Sequence, residues 1–449
     1  FVTNGTTITR LSVSASGAEG SVSANSFDPT ICGTGRKVVF TTENEWDEVD
    51  ANGAEDVYVI DRDADADGIM DEFSQTGGVT TSIVSVSYNA ATTEYDISYL
   101  GANSGVISDD CSKVAFVTDN DFTLDDLNFG PDVYVRDLAS ATTALTWASA
   151  YATNGSTGGG YLPAISSDGS SVVVSTESTD LVSDSGTVGG LVLRTASTGS
   201  YLTRTPAGVA STGTLADSER PAAMTPDGKC VAFKADRGYD LLTGSTGPAQ
   251  GIFLWDNRTG TPVISLVSKD SGGTAASSAS NPRISDDCRF VAYESNDEYL
   301  SSKDTNGKTD VFLYDTSVAT TDLVSSLANG NSADGNSSVA ALDWNSTSQS
   351  GVVLITSNAS SIGGASGAGS LNLFSVPFSI VVTAASAPTI TTVTAGVKKL
   401  TVAFTAPSSN GGAAITNYEY STNNGTTWKA FSPADTSTPL VISKLSTST

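Results

Sequence analysis

A chain of 449 residues, 39% of them hydrophobic, has apolar material for two or more cored domains, and 49 Asp and Glu against 22 Lys and Arg give it a formal charge of −27. That balance argues against binding nucleic acid or an anionic membrane, since either would need a basic surface, and makes cations the more natural partners. The sequence contains no histidine, which removes Ser-His-Asp and Cys-His catalysis and the H-E-x-x-H metal site together.

Ser, Thr, Gly, Ala and Asp dominate, and apolar residues seldom recur at helical spacing, so the expectation is all-β. The most apolar run, Phe374 to Ala385, is too short to span a bilayer and is broken by Pro377, so no membrane insertion is expected. The sequence begins at Phe1 without an initiator Met, which suggests that a signal peptide was removed. The expected location is extracellular or at the cell surface.

The opening TTITRLSVSASG (Thr6 to Gly17) alternates apolar and polar residues and matches later segments that close each repeat, such as Thr80 to Ala90 and Thr320 to Gly330. It reads as a fourth strand without its first three. From Ile31 a ten-residue phrase then returns six times: ICGTGRKVVF, ISDDCSKVAF from Ile107, ISSDGSSVVV from Ile165, MTPDGKCVAF from Met224, ISDDCRFVAY from Ile284 and the longer LDWNSTSQSGVVL from Leu342. The copies end at Phe40, Phe116, Val174, Phe233, Tyr293 and Leu354, 58 to 61 residues apart after a first interval of 76. A fixed period of that size means stacked supersecondary units, none able to bury its apolar face alone.

Each copy is a strand, a tight polar turn and a second strand. A third strand follows, such as DVYVID (Asp56 to Asp61) or DVFLYD (Asp310 to Asp315), and then a fourth, such as TALTWAS. The unit is a four-stranded antiparallel blade. Six units over residues 1–382 predict a six-bladed β-propeller, closed when the N-terminal strand (Thr7 to Ala15) pairs as the outer strand of the blade holding Val352 to Leu354. The alternative, an open solenoid, would need capping repeats.

The MTPDGKCVAF phrase, the ISDDC turns and the DVYVRDL strands resemble the repeats of TolB-like β-propellers of secreted bacterial proteins. The likeness covers about Phe1 to Val382 and implies the fold more than a function, since such propellers serve as binding platforms, scaffolds and gates of peptidases. No hydrolase domain and no G-x-S-x-G elbow accompanies the repeats here.

The excess length of the first unit is DRDADADGIMDEFSQTGG, Asp61 to Gly78. Asp63, Asp65 and Asp67 alternate, Gly68 allows a sharp turn, and Asp71 and Glu72 follow, so several carboxylate oxygens face one point as a hard cation requires. The segment resembles D-x-D-x-D-G-x-x-D calcium loops, although Ser74 stands where an EF-hand has its bidentate Glu. Ca²⁺ ligated by Asp63, Asp65, Asp67, Asp71 and Glu72 is the expectation. Acidic loops also join the second and third strands: DEVDANGAED (Asp47 to Asp56), LDDLNFGPD (Leu124 to Asp132) and SKDTNGKTD (Ser302 to Asp310). They read as hairpin turns whose Asp residues cap backbone donors, and a ring of them could still hold cations.

Cys32, Cys111, Cys230 and Cys288 all sit inside the phrase. Four cysteines allow three connectivities, and the neighbouring turns favour Cys32 with Cys111 and Cys230 with Cys288. A cysteine metal site lacks both CxxC spacing and histidine. After a linker at 383–386, residues 387–449 resemble the first strands of a fibronectin type III domain, an immunoglobulin-like sandwich, with Tyr418, Tyr420 and Trp428 in its core or strands. STNNGTTW (Ser421 to Trp428) resembles a sialidase Asp-box and reads as a hairpin turn. About five strands are present where seven are needed, so either the chain continues or a neighbouring subunit completes the sheet and builds a filament or layer.

These features favour a non-enzymatic extracellular structural or binding protein, a calcium-stabilised scaffold for cell-surface assembly or adhesion through protein or glycan partners, with a homo-oligomer in view. The alternatives are a substrate- or glycan-binding propeller module of a larger secreted enzyme, and a carboxylate-dependent glycosidase.

Overall fold

The structure, a computed structural model, describes residues 1–3, 7–21, 24–47, 49–89, 94–97, 100–120, 122, 130–139, 145–147, 160–176, 190–195, 199–203, 222–235, 241–242, 250–362, 371–380, 384–407, 411 and 415–445. Among them every long element is a strand, and Glu298–Leu300 forms a 3₁₀ turn.

Five four-stranded antiparallel sheets follow one another, each with its strands in chain order. The first contains Ser26–Ile31, Lys37–Thr42, Asp56–Asp61 and Thr80–Ile83, and the fifth Ser280–Ile284, Phe290–Ser295, Asp310–Asp315 and Thr320–Leu323. The sixth has three strands among the described residues, Ser337–Asn345, Ser350–Ser357 and Asn372–Ser379. Second strands such as KVAFVT are apolar on both faces because each is covered by a sheet on either side.

The core is a series of such interfaces. Val39, Val57, Val114, Phe116 and Tyr134 join the first sheet to the second. Ala115, Val133, Val172 and Val174 join the second to the third. Cys230, Ile252, Val291, Tyr293 and Phe312 join the fourth to the fifth, and Phe290, Val311, Val353 and Ile355 join the fifth to the sixth. Gly105 is a contact point of the first interface: a Cβ there would fall 2.6 Å from Val57 and 2.7 Å from Val39. Sheets stacked face to face in sequence order around a shared axis are a β-propeller arrangement.

Both expected disulfides are present, Cys32–Cys111 between the first and second sheets and Cys230–Cys288 between the fourth and fifth, with Cα atoms 5.2 and 6.0 Å apart. In four copies of the phrase the turn is built by one hydroxyl and one carboxylate, and in the first Cys32 Sγ takes the place of the hydroxyl and accepts Lys37 N–H. Ser108 Oγ donates to Asp110 Oδ1 at 2.6 Å and accepts from Lys113 N–H at 3.0 Å, and Ser166 with Asp168, Thr225 with Asp227 and Ser285 with Asp287 repeat the first contact. The turn ends in a left-handed residue: Gly169 and Gly228 in two copies, Cys111 and Cys288 in two others.

The N-terminal strand departs from expectation. Thr7 to Ala15 does not pair with the sixth sheet; Ile8–Thr9 pairs with Val2–Thr3, while Leu11 and Val13 are buried against Val38, Phe40, Tyr58 and Ile60 of the first sheet. Ser12 forms a bend closed by Val13 N–H donating to the Leu11 carbonyl at 2.9 Å, and both flanking side chains pack on the sheet that follows. Val267 and Val324 do the same where the chain passes from one sheet to the next.

Near the C-terminus Thr389–Gly396, Lys399–Thr405 and Leu440–Ser443 form one sheet, and Glu419–Tyr420 pairs with Lys429–Ala430. Phe404 packs edge-on to Tyr418 with ring centroids 4.7 Å apart. Trp428, expected in the core or a strand, is 60% exposed. The tight turn before it closes on its own polar groups, with Ser421 Oγ accepting from Gly425 N–H and Asn423 Oδ1 from Thr427 N–H, and this leaves the indole outside.

Candidate functional site

The acidic loop leaves the third strand of the first sheet at Asp61, which is held by Arg36 through contacts of 2.7 and 3.0 Å. Asp63 is buried and its Oδ1 accepts Gly68 N–H, so the chain turns back on itself, helped by left-handed Ala66 and Gly68. Asp65 and Asp67 stay exposed, Asp65 receiving Gln75 Nε2 at 2.7 Å and Asp67 receiving Ile69 N–H at 2.8 Å. One oxygen from each of Asp63, Asp65 and Asp67 lies within 4.8 Å of the others, a spread that one cation with ligands at about 2.4 Å can bridge.

Glu72 faces this group. Its Oε2 is shielded and has no partner, and burial, followed by the charges of Asp67, Asp65 and Asp63, raises its pKa. Asp71 is not brought to the cluster. Its two oxygens take Arg62 Nε and Nη2 at 2.7 and 2.6 Å, and its N–H donates to the Arg62 carbonyl. Bidentate guanidinium pairing outcompetes a place in the acidic group, so Asp71 fastens the base of the loop.

A second acidic arrangement occurs in the hairpins between second and third strands. Asp50, Asn52 and Asp56 in the first sheet have the same spacing as Asp304, Asn306 and Asp310 in the fifth. Left-handed Gly53 and Gly307 follow the Asn and make the turn. Asn52 Oδ1 accepts Ala54 N–H while its Nδ2 donates to Asp56 at 2.7 Å; Asn306 does the same with Lys308 N–H and with Asp310 at 2.8 Å. Ser85 and Ser325 complete the sets, each donating to the strand aspartate and accepting the next N–H. Burial pushes the Asp56 and Asp310 carboxyls up to about 6, against the lowering by these serine and asparagine donors. The second-sheet counterpart lies mostly outside the described residues. The edge aspartates Asp56 and Asp310 were expected to cap backbone donors; they accept from the Asn and Ser side chains instead. The sequence reading missed that Asp50 and Asp304 are buried as well, although two aspartates six residues apart at one offset before the same strand were there to be seen.

The inner strands of all six sheets line one cavity of about 800 Å³. Its wall includes Pro29, Gly105, Pro163, Ala222 and Ala340, each two residues before a copy of the repeated phrase, a periodic signal that sequence reading overlooked. Beside them the strands bulge, and Asp28, Ser104, Leu162 and Asn281 adopt left-handed backbone conformations. Bulges and left-handed non-glycine residues re-aim side chains, and here they recur around one axis. Among the described residues Phe27 is the one aromatic of the lining, and Asp28 and Arg283 are its charges. Arg283 is itself tied to the carbonyls of Ala340 and Pro282 and to Asn281 Oδ1.

No protein-family model matches the chain, and no curated protein is similar to it in sequence. Solved structures similar to it include TolB from Acinetobacter baumannii, with 13% identity over 76% of each chain and a TM-score of 0.35. The β-propeller domain of the Trilobed protease from Pyrococcus furiosus is 10% identical over 85% of this chain and 92% of that one, at a TM-score of 0.40. Prolyl oligopeptidase B from Galerina marginata is 10% identical over 85% of this chain, which spans about half of that enzyme's length, at 0.38. At these identities the likeness concerns the fold alone. The neighbours include proteases and peptidases beside TolB, against the expectation of a non-enzymatic scaffold for assembly or adhesion. The two disulfides fit an extracellular or periplasmic location. Among the described residues no helix is long and apolar enough to cross a membrane.

Proposed function

We propose that this chain is the substrate-binding module of a larger secreted enzyme, a six-bladed propeller whose axial cavity admits an extended polypeptide segment. The observation that carries this reading is the cavity lined by the inner strand of every sheet, in whose wall the small residues Pro29, Gly105, Pro163, Ala222 and Ala340 recur among larger apolar ones such as Ile107, Leu162 and Met224. The recurring small residues leave room for a chain of varied side chains, whereas a glycan site calls for aromatic platforms and, among the described residues, Phe27 is the one aromatic of this lining. Catalysis then belongs to groups outside this chain, and the absence of histidine is in keeping with that division. Residues 387–449 serve as a fibronectin-like spacer. A Ca²⁺ ion at Asp63, Asp65 and Asp67, with Glu72 beside them, stiffens the long loop of the first blade, in support of which stand the 4.8 Å grouping and the unpartnered Glu72 oxygen.

The test is fluorescence anisotropy of the full chain with labelled, unstructured decapeptides, with neutral oligosaccharides in parallel, before and after Ala340→Trp. A peptide that binds, and binds at least tenfold more weakly once the indole fills the cavity while thermal unfolding is unchanged, supports the reading. Binding of oligosaccharides alone, or peptide binding indifferent to Ala340→Trp, overturns it.

A further inference from the structure

The hairpin of the fifth sheet holds two buried acids with no counter-charge. Asp304 is 3% exposed and its Oδ2 has no hydrogen-bond partner. Its carboxyl group lies within hydrogen-bonding reach of that of Asp310, which is fully buried on the adjoining strand. Among the described residues no Lys or Arg forms an ion pair with either one. Two carboxylates, both acceptors, cannot satisfy each other, and an uncompensated buried charge costs several kcal/mol. Something positive therefore belongs between them.

The surrounding atoms are those a hard cation uses. The Ser332 side chain reaches Asp304, and its Oγ accepts Thr305 N–H at 3.1 Å. The Ala333 carbonyl accepts Asn306 Nδ2, which also donates to Asp310. Carboxylate, hydroxyl and carbonyl oxygens thus converge from the hairpin and from the segment leading to the sixth sheet. We propose that Asp304 and Asp310 bind a divalent cation of the calcium class, with Ser332 Oγ and the Ala333 carbonyl as further oxygen ligands. A shared proton is the competing neutraliser, and the calcium titration below separates the two. The ion would pin the hairpin to the chain entering the sixth sheet. This inference rests neither on the axial cavity nor on the loop at Asp63.

The experiment uses the full chain carrying Asp63→Asn, Asp65→Asn and Asp67→Asn, which silences the exposed loop, and titrates calcium by calorimetry and by thermal unfolding after treatment with chelator. One binding event should remain, with an unfolding midpoint that rises with calcium concentration. Asp304→Asn in that background should abolish both. Should Asp304→Asn fail to fold, Phe312→Tyr provides the second variant: it keeps both acids and supplies a hydroxyl that engages Asp304, and it should weaken calcium binding about tenfold. The proposal is overturned if the loop-silenced chain shows neither heat nor midpoint shift with calcium, or if Asp304→Asn leaves both in place.

Discussion

The hairpins of the first and fifth sheets carry the same D-x-N-G-x-x-D pattern and the same Asn and Ser donors to the strand aspartate, and they differ at one hydroxyl. In the first sheet Tyr58 Oη donates to Asp50 at 2.6 Å. In the fifth the equivalent residue is Phe312, which has none to give. The aromatic pair across the two strands is reversed, Phe40 opposite Tyr58 in one sheet and Tyr293 opposite Phe312 in the other. Held by the phenol, Asp50 acts on Asp56 through its charge alone, whereas Asp304 lies within hydrogen-bonding reach of Asp310. One oxygen atom, moved between strands, separates a hairpin whose outer acid receives a phenolic donor on Oδ2 from one whose outer acid receives none.

The largest effect expected concerns the disulfides, which should treat the two regions alike. Cys32–Cys111 and Cys230–Cys288 close loops of 79 and 58 residues, so the chain-entropy argument assigns each about 4 kcal/mol. Replacing either pair by serine should lower stability in urea by that order and by similar amounts. A loss confined to one pair would mean that the two ends of the sheet series do not unfold as one unit.

Next in size is the pH dependence of the first hairpin. The Asp56 carboxyl sits at about 6 in the folded chain and near 3.8 when unfolded, chiefly through burial. Below pH 3.8 both states hold the proton and the group contributes nothing. Between 3.8 and 6 the folded state holds more protons than the unfolded one, so stability falls as pH rises, and above 6 the whole penalty, about 3 kcal/mol, is in force. Asp56→Asn should remove about one proton's worth of that slope in calcium-free buffer. An unchanged slope between pH 4 and 6 would place the linkage elsewhere.

How far these features were legible varies with how local their causes are. The sheet sequence and both disulfides follow from a repeated ten-residue phrase, because strand, turn and strand are set within it. Leu11 and Val13 were misassigned because alternation says that a strand has a buried face and not which sheet covers it. Asp71 was grouped with its neighbours by spacing, but Arg62, nine residues earlier, claims it. Tyr58 and Phe312 look interchangeable as β-formers, and only the burial of Asp50 and Asp304 makes the hydroxyl matter.

The smallest effect bears most directly on that hydroxyl. Tyr58→Phe gives the first hairpin the side chain found at Phe312 and leaves Asp50 Oδ2 without its phenolic partner, while Oδ1 already has none. The change removes one atom and opens no sizeable cavity, so its cost is the lost bond to a buried carboxylate, about 1–2 kcal/mol in calcium-free urea unfolding. Trp46 and Asp47 also donate their N–H groups to the Tyr58 hydroxyl, at 3.2 and 3.3 Å, so the loss should reach the start of the hairpin and speed amide exchange there. If the hydroxyl is what distinguishes the two hairpins, the variant should regain part of the lost stability when calcium is added, as the fifth sheet is expected to do. A Tyr58→Phe chain that is destabilised equally with and without calcium would show that the exchange of tyrosine for phenylalanine does not by itself convert one kind of hairpin into the other, and that Ser332 and Ala333 are needed as well.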